Sequence, residues 1–301
     1  KALDLMPTAS PAEQAIIAPL ARRYPSSDAA SVTPIWNEDY AVAMRAACKA
    51  FPDDLDIVAL AAEALMNRTP WALWDIAKGV AAEGADTLEA AAMLEHAMAL
   101  PGGMSHAGLL HMYIHLMEMS PFPERALPAA DALRNLVPDA GHLQHMPTHI
   151  DVLCGQYRDV IDSNTAAVAA DRKYLSREGA VNFYSLYRCH NYHFKIYGAM
   201  FLGDPEAALL AADEMVATLP EELLRVPSPP MADWLEGFVP MKMHALIRFG
   251  RWQDILAAEL PSDTALFCVT TAMMHYAKAV AHGVLGQIAK AEAEAARFEA
   301  A

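Results

Sequence analysis

Three groups of histidines recur in step with one another, and that recurrence constrains the fold more tightly than any other feature of the chain. They are His111-Met-Tyr-Ile-His115-Leu-Met-Glu118, His142-Leu-Gln-His145-Met-Pro-Thr-His149 and His190-Asn-Tyr-His193. Residues 106 to 193 hold eight of the twelve histidines, and seven of those eight fall in these groups at spacings of three or four. On an α-helix such spacings project side chains from one face. His111 to His145 and His115 to His149 are both 34 residues, and Ala126-Leu127 returns as Val160-Ile161 at the same interval. The glycines give the register independently: His145 and His193 lie ten residues before Gly155 and Gly203, while His142 and His190 lie thirteen before them. The pattern predicts stacked helix pairs, with histidines at equivalent places on the first helix of successive pairs.

A chain of 301 residues that is 54% hydrophobic can bury a large core, and a repeat stack spreads that core along its length. One elongated domain over residues 1–301 is therefore expected. Glycine is held to 14 residues, and no alternating Val/Ile/Thr runs joined by Asn-Gly or Asp-Gly appear, which points to an all-α class. The formal charge is −15 and the basic residues form no stripe, which argues against nucleic acid and anionic membranes as partners. Cys48, Cys154, Cys189 and Cys268 are too widely separated for a zinc ribbon or a disulfide framework. A reducing, cytoplasmic setting is the expectation. Because the chain opens with Lys1 rather than Met, a removed N-terminal targeting signal stays open. No apolar run reaches the roughly 18 residues of a membrane span.

Along the chain, residues 11–24 read as a helix opened by Ser10 and Pro11, with Pro19 kinking or ending it. They belong to an N-terminal helical cap over residues 1–38, followed after Tyr24 by a loop from Pro25 to Asp28. Residues 39–54 and 55–66 read as the second helix of one repeat and the first of the next. Trp71 and Trp74 are three apart and expected to pack from one helical turn. Residues 88–100 form another amphipathic helix, and Pro101-Gly-Gly breaks it before the first histidine group. Pro147 lies inside the second group and kinks that helix or places His142 near its start. Gly155 to Gly203 spans 48 residues and Gly203 to Gly250 spans 47, more than a repeat needs. The surplus falls near Lys173 to Tyr187 and near Glu221 to Pro240, and such insertions are candidate lids, residues 221–240 above all.

Four segments resemble the inter-helix turn of the tetratricopeptide-repeat superfamily, whose period is 34 residues. They are Gly155-Gln-Tyr-Arg-Asp-Val-Ile, Gly203-Asp-Pro-Glu-Ala-Ala-Leu, Gly250-Arg-Trp-Gln-Asp-Ile-Leu and Gly286-Gln-Ile-Ala-Lys-Ala. The likeness covers most of residues 39–298. More narrowly, His111-x-Tyr-Ile-His115-x-x-Glu118, His142-x-x-His145-Met-Pro-x-His149-Ile and His190-Asn-x-His193-Phe resemble a histidine-rich subgroup of bacterial and fungal repeat proteins. The resemblance implies a right-handed helical solenoid of about six or seven helix pairs whose first helices line a concave, peptide-binding groove. His111, His115, Glu118, His142, His145, His149, His190 and His193 would then face that groove. Two departures matter. Pro121-Phe-Pro stands where a turn glycine would follow the first group, and histidines replace the Asn, Lys and Arg that grip a peptide carboxylate.

The chemistry expected of these residues is metal ligation by His111, His115, His142, His145, His149, His190 and His193. Side chains at i and i+4 can share one ion, and i, i+3 pairs do so in carboxylate bundles. Each imidazole must be neutral, so affinity falls below roughly pH 6. An imidazole set favours copper, with zinc and iron also compatible. Met112, Met117, Met119 and Met146 are core filler or soft ligands for Cu(I). Glu118, one turn after His115, is an acid-base candidate, a ligand, or a group that orients a histidine. Tyr197, four residues after His193, is a proton donor or part of the groove wall. His96, His106, His244, His275 and His282 fall outside the register, and the last two read as helix-packing residues. No phosphate loop, Gly-x-Ser-x-Gly elbow or Cys-His signature appears. The expectation is a copper-dependent enzyme acting oxidatively on a small organic substrate. A scaffold for a protein partner, metal storage or delivery, and a histidine-lined pocket without metal are the alternatives.

Overall fold

A computed structural model describes residues 2–25 and 34–301. Part of the N-terminal cap, and the loop to Asp28 beyond Pro25, lie outside the described residues. The class is all-α: helix accounts for 71% of the structure, and among the described residues the one sheet is a pair of two-residue strands, Trp74–Asp75 (β1) and Val80–Ala81 (β2). The chain divides into two compact units, Lys1–Val137 with His149–Cys154, and Pro138–Thr148 with Gly155–Ala301.

The first unit contains α1 (Ala2–Leu5), α2 (Pro11–Arg23), α3 (Pro34–Ala50), α4 (Leu55–Met66), α5 (Thr87–Ala99), α6 (Ala107–Met117) and α7 (Leu127–Leu133). Ser10 opens α2 with a reciprocal cap, its hydroxyl accepting from the Glu13 N–H at 3.3 Å while its own N–H donates to the Glu13 carboxylate at 2.7 Å. The helix then runs through Pro19 to Arg23. Asp54 caps α4 through the Ile57 N–H at 3.1 Å, and eight of the twelve residues of α4 are buried, which makes it the centre of this unit's core. Successive helices from α2 to α7 pack on one another, and α2 on α4 and α4 on α6 also touch. Residues 70–86 depart from the expected helical turn. Pro70 disfavours a helix in the residue before it, Trp71 takes a positive φ of 56° and is 80% exposed, and Trp74 sits in β1. There its indole N–H donates to the Leu116 carbonyl at 2.6 Å, satisfying an acceptor in the last turn of α6 that has no partner within the helix.

The second unit begins with α8 (Gly141–His145). Pro147 has no N–H to donate and its ring opposes a continuing helix, so the second histidine group is split; α9 (Thr148–Leu153), which starts after it, belongs from His149 onward to the first unit. Next come α10 (Tyr157–Glu178), α11 (Ser185–Leu202) and α12 (Pro205–Ala217), then α13 (Glu221–Leu224) and α14 (Met231–Leu235) within the longer insertion, and α15 (Met241–Arg248), α16 (Trp252–Ala257), α17 (Cys268–Val284) and α18 (Ile288–Ala300). The surplus after Lys173 is absorbed by a 22-residue α10 and the turn behind it. Residues 221–240 are anchored by buried Leu223, Leu224, Met231 and Leu235. α10, α11 and α12 pack in succession, as do α15 to α18 and α13 with α14; α8 packs on α10 and α11, α15 on α11 and α12, and α17 on α15. Gly203 ends α11 with a φ of 81°, and the Asp204 N–H reaches back to the Ala199 carbonyl at 2.9 Å. Glycine alone enters this region without a Cβ penalty. The same reach-back recurs from Arg251 to Leu246 and from Gln287 to His282, each at 2.9 Å, and Gly155, Gly250 and Gly286 share the positive φ. Among the described residues no helix is long and apolar enough to cross a membrane.

Candidate metal-binding histidines

In the first unit, His111 and His115 project from the same face of α6, with ring centroids 4.7 Å apart and a ring nitrogen of each within 4.8 Å of the other. Two nitrogens on one ion at about 2.0–2.1 Å can lie up to roughly 4.2 Å apart, so a small rotation brings this pair onto a shared ion. His149 stands beside them, its ring centroid 5.5 Å from that of His115. Arg134 helps fix the helix that carries His149, donating to the fully buried Asp151 at 2.5 Å.

Glu118, at the C-cap of α6, joins two of these rings. His115 Nδ1–H donates to Oε1 at 2.9 Å, and His149 Nδ1–H donates to Oε2. Burial pushes the Glu118 carboxyl up, but the hydrogen bonds and charge of His115 and His149 outweigh that and hold it at about 2. An ionised carboxylate only accepts, so both facing nitrogens carry protons, and in the neutral imidazole Nε2 is then the lone-pair nitrogen. That is the tautomer in which a carboxylate orients a metal-binding histidine.

The second unit repeats the arrangement with an amide in place of the carboxylate. His145 is fully buried, and its Nδ1–H donates to Asn164 Oδ1 at 2.8 Å. The Asn164 amide is itself oriented by a bond from Nδ2–H to the Val160 carbonyl at 2.8 Å. His190 lies 4.6 Å from His145 between ring centroids, with ring nitrogens within 4.8 Å. His142 stacks on His145 at 6.0 Å and meets Tyr187 edge-on at 5.2 Å. Phe194 presses edgewise on both His145 and His190, at 4.7 and 4.8 Å.

Beneath these rings lies Asp171, 3% exposed, which accepts from the Tyr184 hydroxyl and from Asn191 Nδ2–H, each at 2.7 Å. Burial pushes its carboxyl up, partly offset by those two bonds and by the charge of Arg188. A Cβ on Gly141 would lie 1.9 Å from Asp171 Oδ1, so α8 approaches the carboxylate closely because residue 141 has no side chain. Gly141 precedes His142 and Asn191 follows His190, so one buried carboxylate sets the positions of both histidine-bearing backbones.

The remaining expected residues are placed elsewhere. His193 faces Phe238, ring centroids 5.7 Å apart, and its imidazole is pushed down by burial and by His244. Tyr197 is half exposed and packs on Phe201 at 4.7 Å. Met117 and Met146 are wholly buried in the core. Outside the register, His106 caps α6, accepting from the Leu109 N–H at 3.1 Å and pairing with Asp56 at 3.0 Å. His275 joins α17 to α18 through Glu294 at 2.6 Å, and His282 bonds Gln287 at 2.8 Å.

Comparison with protein-family models finds none that matches the chain, and comparison with curated proteins finds no match.

Asn164, Tyr187 and Phe194 are not marked by the histidine spacing. A sequence signal for Asn164 exists nonetheless. Val160, Asn164, Ala167, Val168 and Asp171 are the buried face of α10, and polar residues at two places in an apolar seam indicate buried partners.

Proposed function

We propose that this chain is a histidine-ligated metalloprotein whose helix pairs are right-handed tetratricopeptide-like repeats, with copper the favoured ion and oxidative action on a small organic substrate. The repeat reading is supported by alternate helices that touch within each unit and by the recurring left-handed glycine turns. His111 with His115, flanked by His149, is the chelating set of the first unit. His145 with His190, flanked by His142, is that of the second.

The observation that carries the reading is that His115, His149 and His145 each commit Nδ1–H to a buried or half-buried acceptor. A histidine that only packs, such as His275 on Glu294, is bonded in the same way; what sets His115 and His145 apart is that a second imidazole nitrogen, of His111 or His190, lies within 4.8 Å, and a ligand must offer its unprotonated nitrogen. Bound copper would supply one-electron redox chemistry, and the protein's part is to orient the imidazoles.

Metal analysis of untagged protein after supplementation with copper, iron and zinc tests this. About one equivalent or more is expected, highest for copper, with a marked fall in His115→Ala and His145→Ala. Less than about 0.2 equivalents of every metal would overturn it. Stoichiometric loading with freely exchanging ions and no oxygen consumption would make the chain a storage protein instead.

A further inference from the structure

Along α11 the residues Tyr187, His190, Phe194, Tyr197 and Phe201 follow at steps of three and four, and Phe183 stands four residues ahead of them. At 3.6 residues per turn they share a stripe about 80° wide. Every member is a ring and none carries a formal charge at neutral pH. The opposite face of α11, with Cys189, Tyr192, Ile196 and Ala199, is the one buried in the core. A helix face turned from its core is ordinarily polar, so this stripe requires another account.

Its middle is covered by His145, which lies against His190 and Phe194. Its N-terminal end is open. Tyr187 is 37% exposed while touching His142, Phe183 is 44% exposed, and Trp234 from the longer insertion stands edge-on to Phe183 at 6.2 Å and is 53% exposed. Tyr184 stacks on Tyr187 at 5.7 Å and is held by Asp171. Both long insertions therefore contribute rings to one exposed cluster beside a histidine of the second unit.

We infer that Phe183, Tyr187 and Trp234 form the substrate subsite next to His142, and that its ligand is a small, planar, uncharged aromatic of the phenol class. Ring faces and edges favour offset or edge-on contact with another ring, and the side chains of Phe183, Tyr187 and Trp234 offer an anionic acid no charge to pair with. The formal charge of −15 on the chain further disfavours anions. The inference rests on the metalloprotein reading for its purpose, since a ligand here lies alongside His142, but binding itself requires no metal.

The test is calorimetric titration of the metal-free full-length protein with 4-ethylphenol, with 4-ethylcyclohexanol as the non-planar control and 4-ethylbenzoate as the anionic one. The phenol is expected to bind about tenfold or more tightly than either control. Tyr187→Ala and Trp234→Ala should each weaken it about threefold to tenfold, with far-UV circular dichroism unchanged in both and metal loading unchanged in Trp234→Ala. Equal binding of the cyclohexanol, or no effect of either substitution, overturns the subsite. Phenol binding without metal loading overturns the metalloprotein reading and leaves the subsite standing, whereas metal loading without phenol binding does the reverse.

Discussion

The imidazole of His145 and the amide of Asn164 meet at 2.8 Å with both residues fully buried. The bond joins α8 to α10 and chooses the histidine's tautomer. Away from water that choice is enforced, because a buried donor without an acceptor costs far more than a made bond gains. The Asn164 bond to Val160 extends the control one step further, since an amide held at its nitrogen can present only its oxygen to His145.

Asn164→Ala should therefore act twice. Loss of the acceptor strands the His145 N–H and should lower the stability of metal-free protein by about 1–3 kcal/mol, read from the midpoint of urea unfolding. Metal affinity of the second unit should also fall about 10–100-fold, read by competition with a chelator. Unchanged affinity would mean that the tautomer of His145 has no bearing on a metal.

Much of this fold is written in local rules. The α class follows from helix-forming composition, and the turns at Gly203, Gly250 and Gly286 are readable because a positive φ selects glycine. The break in the second histidine group is announced by Pro147, although only the structure shows that α8 stops before it. Residues 70–86 were not legible, since whether Trp74 continues a helix or joins a hairpin depends on the distant Leu116 carbonyl that receives its N–H. At the site, the pairing of His111 with His115 and the orienting place of Glu118 follow from helical spacing. The link from Glu118 to His149 crosses 31 positions of chain, and that of His145 to Asn164 joins separate helices. Spacing carries no information on either. The ring stripe on α11 was present in the sequence at helical spacing, but aromatic residues at such spacing usually face a core, and only exposure reveals that this set does not.

Glu118→Gln should separate the two units. A glutamine can accept from one histidine through its carbonyl, but its amide nitrogen then faces the other Nδ1–H, so His115 and His149 cannot both keep their tautomer. Metal content per chain should fall by about half, with an affinity loss of about 10–100-fold in the first unit alone. Paramagnetic copper spectra should then show one population where the parent shows two. Full loading at parental affinity would show that the carboxylate does not orient the ligands.

Asp171 supplies a pH dependence of known sign. Burial raises its carboxyl, against two hydrogen bonds and Arg188 that lower it. The folded state therefore holds the proton more tightly than the unfolded chain, whose value is about 3.9. Stability from this group is complete below that unfolded value and is lost as pH rises through the raised folded one. Asp171→Asn removes the titration, so the variant should gain on the parent as pH rises from about 3.5 to 7. Comparing melting temperatures of the two metal-free proteins cancels the other carboxyls, and a difference that stays constant with pH would contradict the burial effect.

Gly141→Ala tests whether the close approach of α8 to Asp171 positions the second set of histidines. The added methyl carbon would lie 1.9 Å from Oδ1 and 2.7 Å from Cγ, and the carboxylate cannot swing aside without giving up Tyr184 and Asn191. α8 must therefore shift, carrying His142 and His145 with it, at a cost of about 1–3 kcal/mol. Gly203→Ala is the matched control. Nothing lies within 4 Å of its added carbon, so its cost of about 1–2 kcal/mol comes from the left-handed backbone alone. With similar losses of stability, Gly141→Ala should lose metal affinity in the second unit and Gly203→Ala should keep it. Equal loading of the two variants would show that the contact with Asp171 serves packing and not the histidines.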